Sequence, residues 1–402
     1  MIEFEKACDL IFENCHTLET EKRLIEDAVG FALAEDIVSP INVAPFRNSA
    51  MDGFAVKSAW LDKCSADSPA VIPISSTSFA GNPASINNTD THTLKVMTGA
   101  RVPDEFDAVV PFEDTDYGEN EVRFFKPTFQ GKHIREPGED ITLGRKLFTK
   151  GMVLSRLDIG ILATIGLRSV MTVRKPSMTI LGTGDELTEP GNELIGDKIY
   201  DANTFAIYSL VSPFCGIADR ICRVADTKEE LEKALDSPHD VIVTSGGVSM
   251  GERDLVTKVA ESCGWRRVFH KAKIKPGKPV YFAVRGKQLL FGLPGNPLSA
   301  TVTCSIFLIP ALKKMAGYAD YRLATKPAVL SPDSVRKSKR KLIWPGLFNS
   351  DSGRTIASFS SQKSSAALTA LQGTDGLIIQ KATSGVTEDM TVETIPWSQI
   401  LI

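Results

Sequence analysis

Three spacings of apolar residues follow one another along the chain. Near the start, Phe4, Ala7, Leu10, Ile11 and Cys15 recur at helical intervals, which predicts an amphipathic helix over residues 3–17; a second helix is expected over residues 21–29. From about Ala44 to Asp140, short alternating runs (VIPIS, THTLKVMTG, DAVVPFED, EVRFFK) are separated by Pro, Gly, Asn and Asp, which predicts a compact β domain over residues 44–140. Ser155 with Asp158 three residues on then reads as a capping box opening a helix over LDIGILATIG. The β-rich middle therefore reads as an insertion into a helical domain made of residues 1–43 and 141–176, with a hinge at Lys175-Pro176.

From Met178 to about Gly317, strands and helices alternate. MTILG, RICRVAD, DVIVTSGG, PVYFAV and QLLFGL are strand-like. ANTFAIYSLVSPFCG, TKEELEKAL, DLVTKVAESCG and PLSATVTCSIFLIPALKKM are helix-like, with Thr227 as the expected cap of the second and Gly264 as the end of the third. This order predicts a parallel sheet over residues 177–325 with helices on both faces, and ligands on such sheets gather at the carboxyl ends of the strands. Residues 326–402 return to short strands and Gly/Ser turns, as in a small β-barrel or sandwich. The expected fold class is thus multidomain, α/β plus β.

Composition narrows the partners. The 402 residues, 43% hydrophobic and 24% charged, fit a soluble protein of several domains. Lys plus Arg is 46 against 49 for Asp plus Glu, and a net charge of -3 argues against general nucleic-acid binding, which needs a basic surplus. MIEFEKACDL carries acidic residues where a signal peptide would be basic. The uncharged stretch from Pro297 to Leu312 contains Asn, Ser, Thr and Pro, and is expected to be a buried helix and not a membrane span. Seven cysteines without a C-x-x-C pair fit reduced thiols in a cytoplasmic protein, and five scattered histidines argue against a Cys/His zinc site.

Candidate chemistry concentrates in three loops. Gly182-Thr183-Gly184-Asp185-Glu186 follows MTIL, Ser245-Gly246-Gly247-Val248-Ser249 follows DVIVT, and Pro294-Gly295-Asn296-Pro297 follows QLLFGL. Glycine lets backbone N–H groups approach an anion, and a helix N-terminus adds a favourable dipole. Each loop alone would be an ordinary strand-to-helix turn; three at one sheet edge point to a phosphate-bearing ligand. Glu186, Asp226 and Asp254 follow strands at that edge and suit Mg²⁺ beside phosphates, the alternative for Asp226 being to stabilise the dipole of the helix it precedes. KAKIK places Lys271, Lys273 and Lys275 opposite Ala272 and Ile274; with Lys278 and the Pro276-Gly277 turn, this is either a solvated edge strand or a shaped anion site. The cluster Arg336-Lys337-Ser338-Lys339-Arg340-Lys341 reads by default as a solvated loop, with a nucleic-acid patch or an oxyanion-binding edge as alternatives.

In order along the chain, PFRNSAMDGFAV, MTGARVPDEFDAVVPFE, REPGEDI, GTGDEL, SGGVSMGERD, IKPGKP and LPGNPLSA resemble the molybdopterin molybdenumtransferase family, the MoeA-type enzymes also represented by the E domain of gephyrin. The resemblance implies that the α/β unit is a molybdopterin-binding domain and that elongated subunits form a homodimer. It also implies a reaction: adenylylated molybdopterin and molybdate are the substrates, molybdenum is inserted at the dithiolene, and AMP is released with Mg²⁺ as cofactor. Carried onto this sequence, the catalytic set is Asp52, Thr98, Asp140, Glu186, Asp226 and Asp254, the last three also as metal ligands. Lys271, Lys275 and Lys278 would hold phosphate or molybdate, joined by Lys341 and Ser364 in the last domain. Gly182, Gly184, Ser245, Gly246, Gly247, Pro294, Gly295 and Asn296 would complete the anion site. In the family's dimer the SAMDGFAV region of one subunit meets the α/β domain of the other, so Asp52 and Glu186 of one site would come from different chains. Further partners implied are the molybdopterin adenylyltransferase and other proteins of cofactor biosynthesis.

The last domain departs from the family pattern. The family usually has an Arg where KRKLIWPG stands, here aligned with Lys341, and Arg and Lys differ in how they clamp oxyanions. QKSSAAL replaces the common QGSH, so Ser364 and Ser365 compete for one role. Two other readings remain: a gephyrin-like scaffold that binds a partner peptide without catalysis, and an enzyme that adenylylates molybdopterin instead.

Overall fold

The computed structural model describes residues 1–84, 88–248, 255–383 and 390–401. They form two compact units. One comprises Met1–Glu35, Lys150–Ser155 and Ser169–Ile402, the other Asp36–Thr149 and Arg156–Arg168.

The larger unit is organised around a six-stranded sheet in the order Ile217–Val224, Ser177–Thr183, Val241–Ser245, Gln288–Leu293, Tyr281–Arg285, Arg266–His270. Its first four strands are mutually parallel. Val241–Ser245 is buried along its whole length, and Ser177–Thr183 and Gln288–Leu293 are buried after their first residue, as expected of strands covered on both faces. The sheet is not wholly parallel: Tyr281–Arg285 runs antiparallel to both its neighbours. The reason is local. Only Gly286 and Lys287 separate it from Gln288–Leu293, and a two-residue connection can join only antiparallel strands.

Helices Asn203–Val211, Lys228–Leu235 and Leu255–Ser262 follow strands of this sheet. Thr227 caps the second as expected, its hydroxyl accepting the Glu230 N–H at 3.4 Å. The segment Pro297–Met315 is helical throughout and 94% buried, although its length and mean hydropathy of 1.3 would also suit a membrane span. Two α-helical stretches flank a π-helical turn at Cys304–Leu308, just before Pro310. Proline has no N–H and crowds the carbonyl four residues back, and a widened turn relieves both.

The C-terminal region of this unit is a closed five-stranded barrel: Lys341–Asp351, Arg354–Phe359, Lys326–Leu330, Thr391–Pro396 and Gly376–Gln380, returning to Lys341–Asp351. Gly346 is the corner, since it pairs with both Phe359 and Gly376. A Cβ there would lie 2.3 Å from Ile378 Cδ1 and 2.5 Å from the Ser358 carbonyl, so a strand turning between two neighbours at this point needs glycine. Ile274–Lys275 joins the barrel as a sixth strand beside Lys341 and Leu342. The two basic clusters of the sequence therefore meet.

The smaller unit carries a five-stranded sheet in the order Ala108–Pro111, Gly53–Val56, Thr93–Val96, Ala70–Ser78, Glu121–Phe124. Alternation sends Phe54, Val56 and Val110 to one core with Phe124, and Ala55, Val109 and Leu94 to another with Phe106.

Two local expectations are corrected. Residues 21–29 do not form a helix: Thr20–Leu24 is a strand paired antiparallel with Ser169–Val173, followed by a 3₁₀ turn at Ile25–Asp27. Its exposure alternates along TEKRL, a period-2 pattern that long-range pairing favoured over helix propensity. The helix near LDIGILATIG begins at Asp158 with Leu157 at its N-cap position, two residues beyond Ser155. The segments expected to form a helical domain contain Phe4–Asn14 in one unit and Asp158–Thr164 in the other; among their described residues the remaining regular structure is mainly paired strands.

Candidate functional site

The parallel strands of the larger unit end at Thr183, Val224, Ser245 and Leu293. Beyond these ends lies a cavity of about 700 Å³. Gly184, Glu186, Asp226, Ser245, Gly246, Gly247, Pro294, Gly295 and Asn296 all line it. The crevice outside the carboxyl ends of parallel strands is where such folds bind ligands, because the connections diverge there to opposite faces.

The loops are tied together at their bases. The Thr183 hydroxyl donates to the Ser245 carbonyl at 3.2 Å, and the Gly246 N–H donates to the Leu293 carbonyl at 3.0 Å. Gly246 has φ +99°, and a Cβ on it would stand 2.8 Å from Thr183 Oγ1. Glycine is required there both by conformation and by space. The Glu186 carboxylate folds over Gly184, where an added Cβ would lie 2.6 Å from Oε2. Glu186 is exposed and Asp226 half-buried, so two hard oxygen donors border the cavity.

The remaining candidates divide by location. Gly182 is buried within its strand and does not line the cavity. Lys271, Lys275, Lys278, Lys341 and Ser364 do not line it either, although Pro279, next to Lys278, does. KAKIK behaves as its alternation predicts, with Ala272 and Ile274 fully buried and Lys275 exposed. Lys341 pairs with Glu5 and stands 5.1 Å from the centre of the Phe4 ring, which ties the barrel to the N-terminal helix. Arg340 donates to the Ile274 carbonyl at 2.8 Å, and Arg336 stacks 5.0 Å from the Trp344 ring. Of the competing serines, Ser364 accepts the Ala366 N–H at 3.2 Å. Ser365 instead accepts from Asn296 Nδ2 at 3.1 Å, and its carbonyl from the Leu298 N–H at 3.1 Å. Asp254 lies outside the described residues.

Within the smaller unit, Thr98 holds Asp52 with two hydrogen bonds to Oδ1, from its N–H at 2.7 Å and its hydroxyl at 2.8 Å. These bonds, the backbone one foremost, hold the Asp52 carboxyl below the usual aspartate range. Asp140 is exposed and lines a separate cavity of about 360 Å³ with Val43, Ala44, Asn48, Arg135 and Glu139.

Sequence reasoning did not single out Ile199, Tyr200, Asn203 and Ala366, which also line the larger cavity. Ile199–Tyr200 pairs with Leu187–Thr188 as a two-stranded ribbon, anchored by Arg220 to Glu189 and by Tyr200 OH to the Asn192 carbonyl at 3.0 Å. Asp201 accepts the Thr204 N–H at 3.0 Å where the helix Asn203–Val211 begins. The run D-A-N-T before an apolar segment carried that helix-start signal.

A mixed α/β domain carries glycine loops and two carboxylates at its strand ends and is here coupled to a β-barrel. Comparison with known proteins makes this specific. Residues 2–166 match the family model described as the MoeA N-terminal region (domain I and II), and residues 179–314 match that of a probable molybdopterin binding domain. Molybdopterin molybdenumtransferase of Haemophilus influenzae is 34% identical over 81% of this chain and 80% of its own length. Gephyrin of Dictyostelium discoideum is 32% identical over 79% of the chain, which spans 50% of that longer protein. A crystal structure of a MoeA molybdopterin biosynthesis protein from Pyrococcus horikoshii superposes with a TM-score of 0.84 at 29% identity, covering 99% of each chain. The chain belongs to the MoeA-type molybdopterin molybdenumtransferase family, enzymes of molybdenum cofactor biosynthesis.

Proposed function

We propose that this protein transfers molybdenum from molybdate to adenylylated molybdopterin and releases AMP, acting as a homodimer with Mg²⁺. The observation that carries the reading is the cavity itself: three glycine loops and the carboxylates Glu186 and Asp226 at the carboxyl ends of parallel strands. Phosphate and carboxylate repel, so the two belong in one cavity only if a cation or a proton lies between them. Mg²⁺ needs only one or two protein carboxylates and completes its shell with water and phosphate oxygens. Glu186 and Asp226 both border the cavity, and such sparse carboxylate ligation suits this ion better than it would a metal that needs a closed protein cage. Glu186 and Asp226 would hold it, and when bound it would neutralise charge on the phosphates.

The chain's own groups account for the rest. The backbone of the 245–247 and 294–296 loops cradles the phosphates, with the helix that starts at Pro297 directing its positive end toward them. Lys275 and Lys278, both exposed, attract the molybdate oxyanion. Asp52, kept anionic by Thr98, is suited to accept a proton or orient a ligand presented by the second protomer. Docking with the molybdopterin adenylyltransferase would pass on a labile substrate without release.

The test is to incubate the purified protein with adenylylated molybdopterin, Mg²⁺ and varied molybdate, and to follow AMP together with protein-bound molybdenum. Molybdate-dependent AMP release in step with molybdenum insertion is expected. Nucleotide binding without turnover would overturn the reading.

A further inference from the structure

Asn203 does something its own helix does not require. The helix start is already served by Asp201, which accepts the Thr204 N–H at 3.0 Å and also pairs with the Thr204 hydroxyl. The Asn203 carboxamide turns instead to the loops. Nδ2 donates to Ser245 Oγ at 2.8 Å and to the Gly295 carbonyl at 2.7 Å. The orientation of the amide is not arbitrary: a backbone carbonyl can only accept, so the nitrogen must face Gly295. Both N–H bonds are thereby used. Oδ1 is buried without a hydrogen-bond partner, an arrangement that a residue kept only for folding would not favour.

Asn203 is thus a strut between two loops that descend from different strands. Ser245 belongs to the end of Val241–Ser245, and Gly295 follows Gln288–Leu293. The backbones come close where the strut acts, since a Cβ on Gly295 would lie 3.6 Å from Gly246 Cα. The chain of contacts continues through Asn296 to Ser365 in the C-terminal region.

We propose that Asn203 is a positioning residue for the transfer reaction, its carboxamide setting the spacing of the Ser245–Gly247 and Pro294–Asn296 loops so that their backbones grip the phosphate of the nucleotide half of the substrate together. This rests on reading the cavity as a phosphate site. Asn203 acts through the loops and takes no part in the chemistry. Loss of the strut lets the loops move independently, and a ligand must then order them on binding, which weakens affinity.

The test uses Asn203→Ala and Asn203→Asp in the full-length protein. Without ligand, hydrogen exchange of the peptides covering 245–248 and 294–297 should speed up in both variants, while melting stays within about 3 °C of the parent. With Mg²⁺ present, calorimetric titration with AMP should show affinity at least about tenfold weaker in both. Below about pH 5 the carboxyl introduced by Asn203→Asp begins to protonate and regains one donor. Affinity of Asn203→Asp relative to the parent should then recover in part, while Asn203→Ala does not change. Unaltered exchange in both variants would overturn the strut, and parental AMP affinity in both would overturn the positioning role. Failure of the parent itself to bind AMP would count against the phosphate-site reading, and exchange would still decide the strut.

Discussion

The two acidic stations of this molecule are built on different principles. Glu186 and Asp226 follow two adjacent parallel strands, around a cavity of about 700 Å³ whose floor is tied together by backbone and side-chain hydrogen bonds. Asp52 stands exposed on the smaller unit, with one oxygen pinned by Thr98. The first arrangement surrounds a volume; the second presents an exposed carboxylate held in one direction.

The largest expected effect lies at the cavity. Glu186→Gln removes a charge at nearly constant volume, and molybdate-dependent AMP release should fall by about 100-fold or more with melting unchanged. Normal turnover in the folded variant would remove Glu186 from the mechanism. Next comes Gly246→Ala, whose methyl would enter a left-handed backbone position against Thr183. Urea denaturation should show a loss of about 1–3 kcal/mol, accompanied by weaker nucleotide binding. An unchanged midpoint would mean that the loop has room to yield.

The far side of the same sheet allows a pH experiment. Asp240 accepts two bonds from Arg174, at 2.7 and 2.9 Å, and further bonds from the Ser177 N–H and hydroxyl, both at 2.8 Å. Burial alone would raise its carboxyl, but these partners outweigh it and hold the group below the ordinary aspartate value. The folded state therefore binds fewer protons at this group than the unfolded chain. Its contribution is complete above the unfolded value of about 3.9 and is lost as pH falls through the folded one. Asp240→Asn should destabilise the protein by about 1–3 kcal/mol near neutrality, with a gap to the parent that narrows in acid. A constant gap from neutrality into acid would contradict this. The smallest effect is at Asp52: Thr98→Val removes one of its two bonds, so the carboxyl should titrate higher by NMR yet remain below its ordinary value through the surviving N–H. No movement would show that the hydroxyl is irrelevant.

Much of this was readable before the structure. Strands and helices of the α/β region emerged because their apolar runs are long and their caps local, as at Thr227. The glycine loops were recognisable since close approach between backbones leaves a compositional trace. The strand Thr20–Leu24 was misread because its partner, Ser169–Val173, lies far away in sequence, and no local pattern announces such a pairing. Lys341 aligned with an anion-binding position, and its ion pair with Glu5, far away in sequence, left no local trace.

By itself, then, the amino-acid order determined most strands and helices of the α/β region and which loops are rich in glycine, because these depend on neighbours a few residues apart. Only the tertiary structure decided that Tyr281–Arg285 runs against its sheet, that the two lysine clusters meet through the barrel, and that Asn203 braces two loops 42 and 92 residues away. Those outcomes depend on which strands pair and on where chain ends of different elements converge. Such contacts form between residues distant in sequence, and their energy belongs to the folded whole rather than to any local stretch of it.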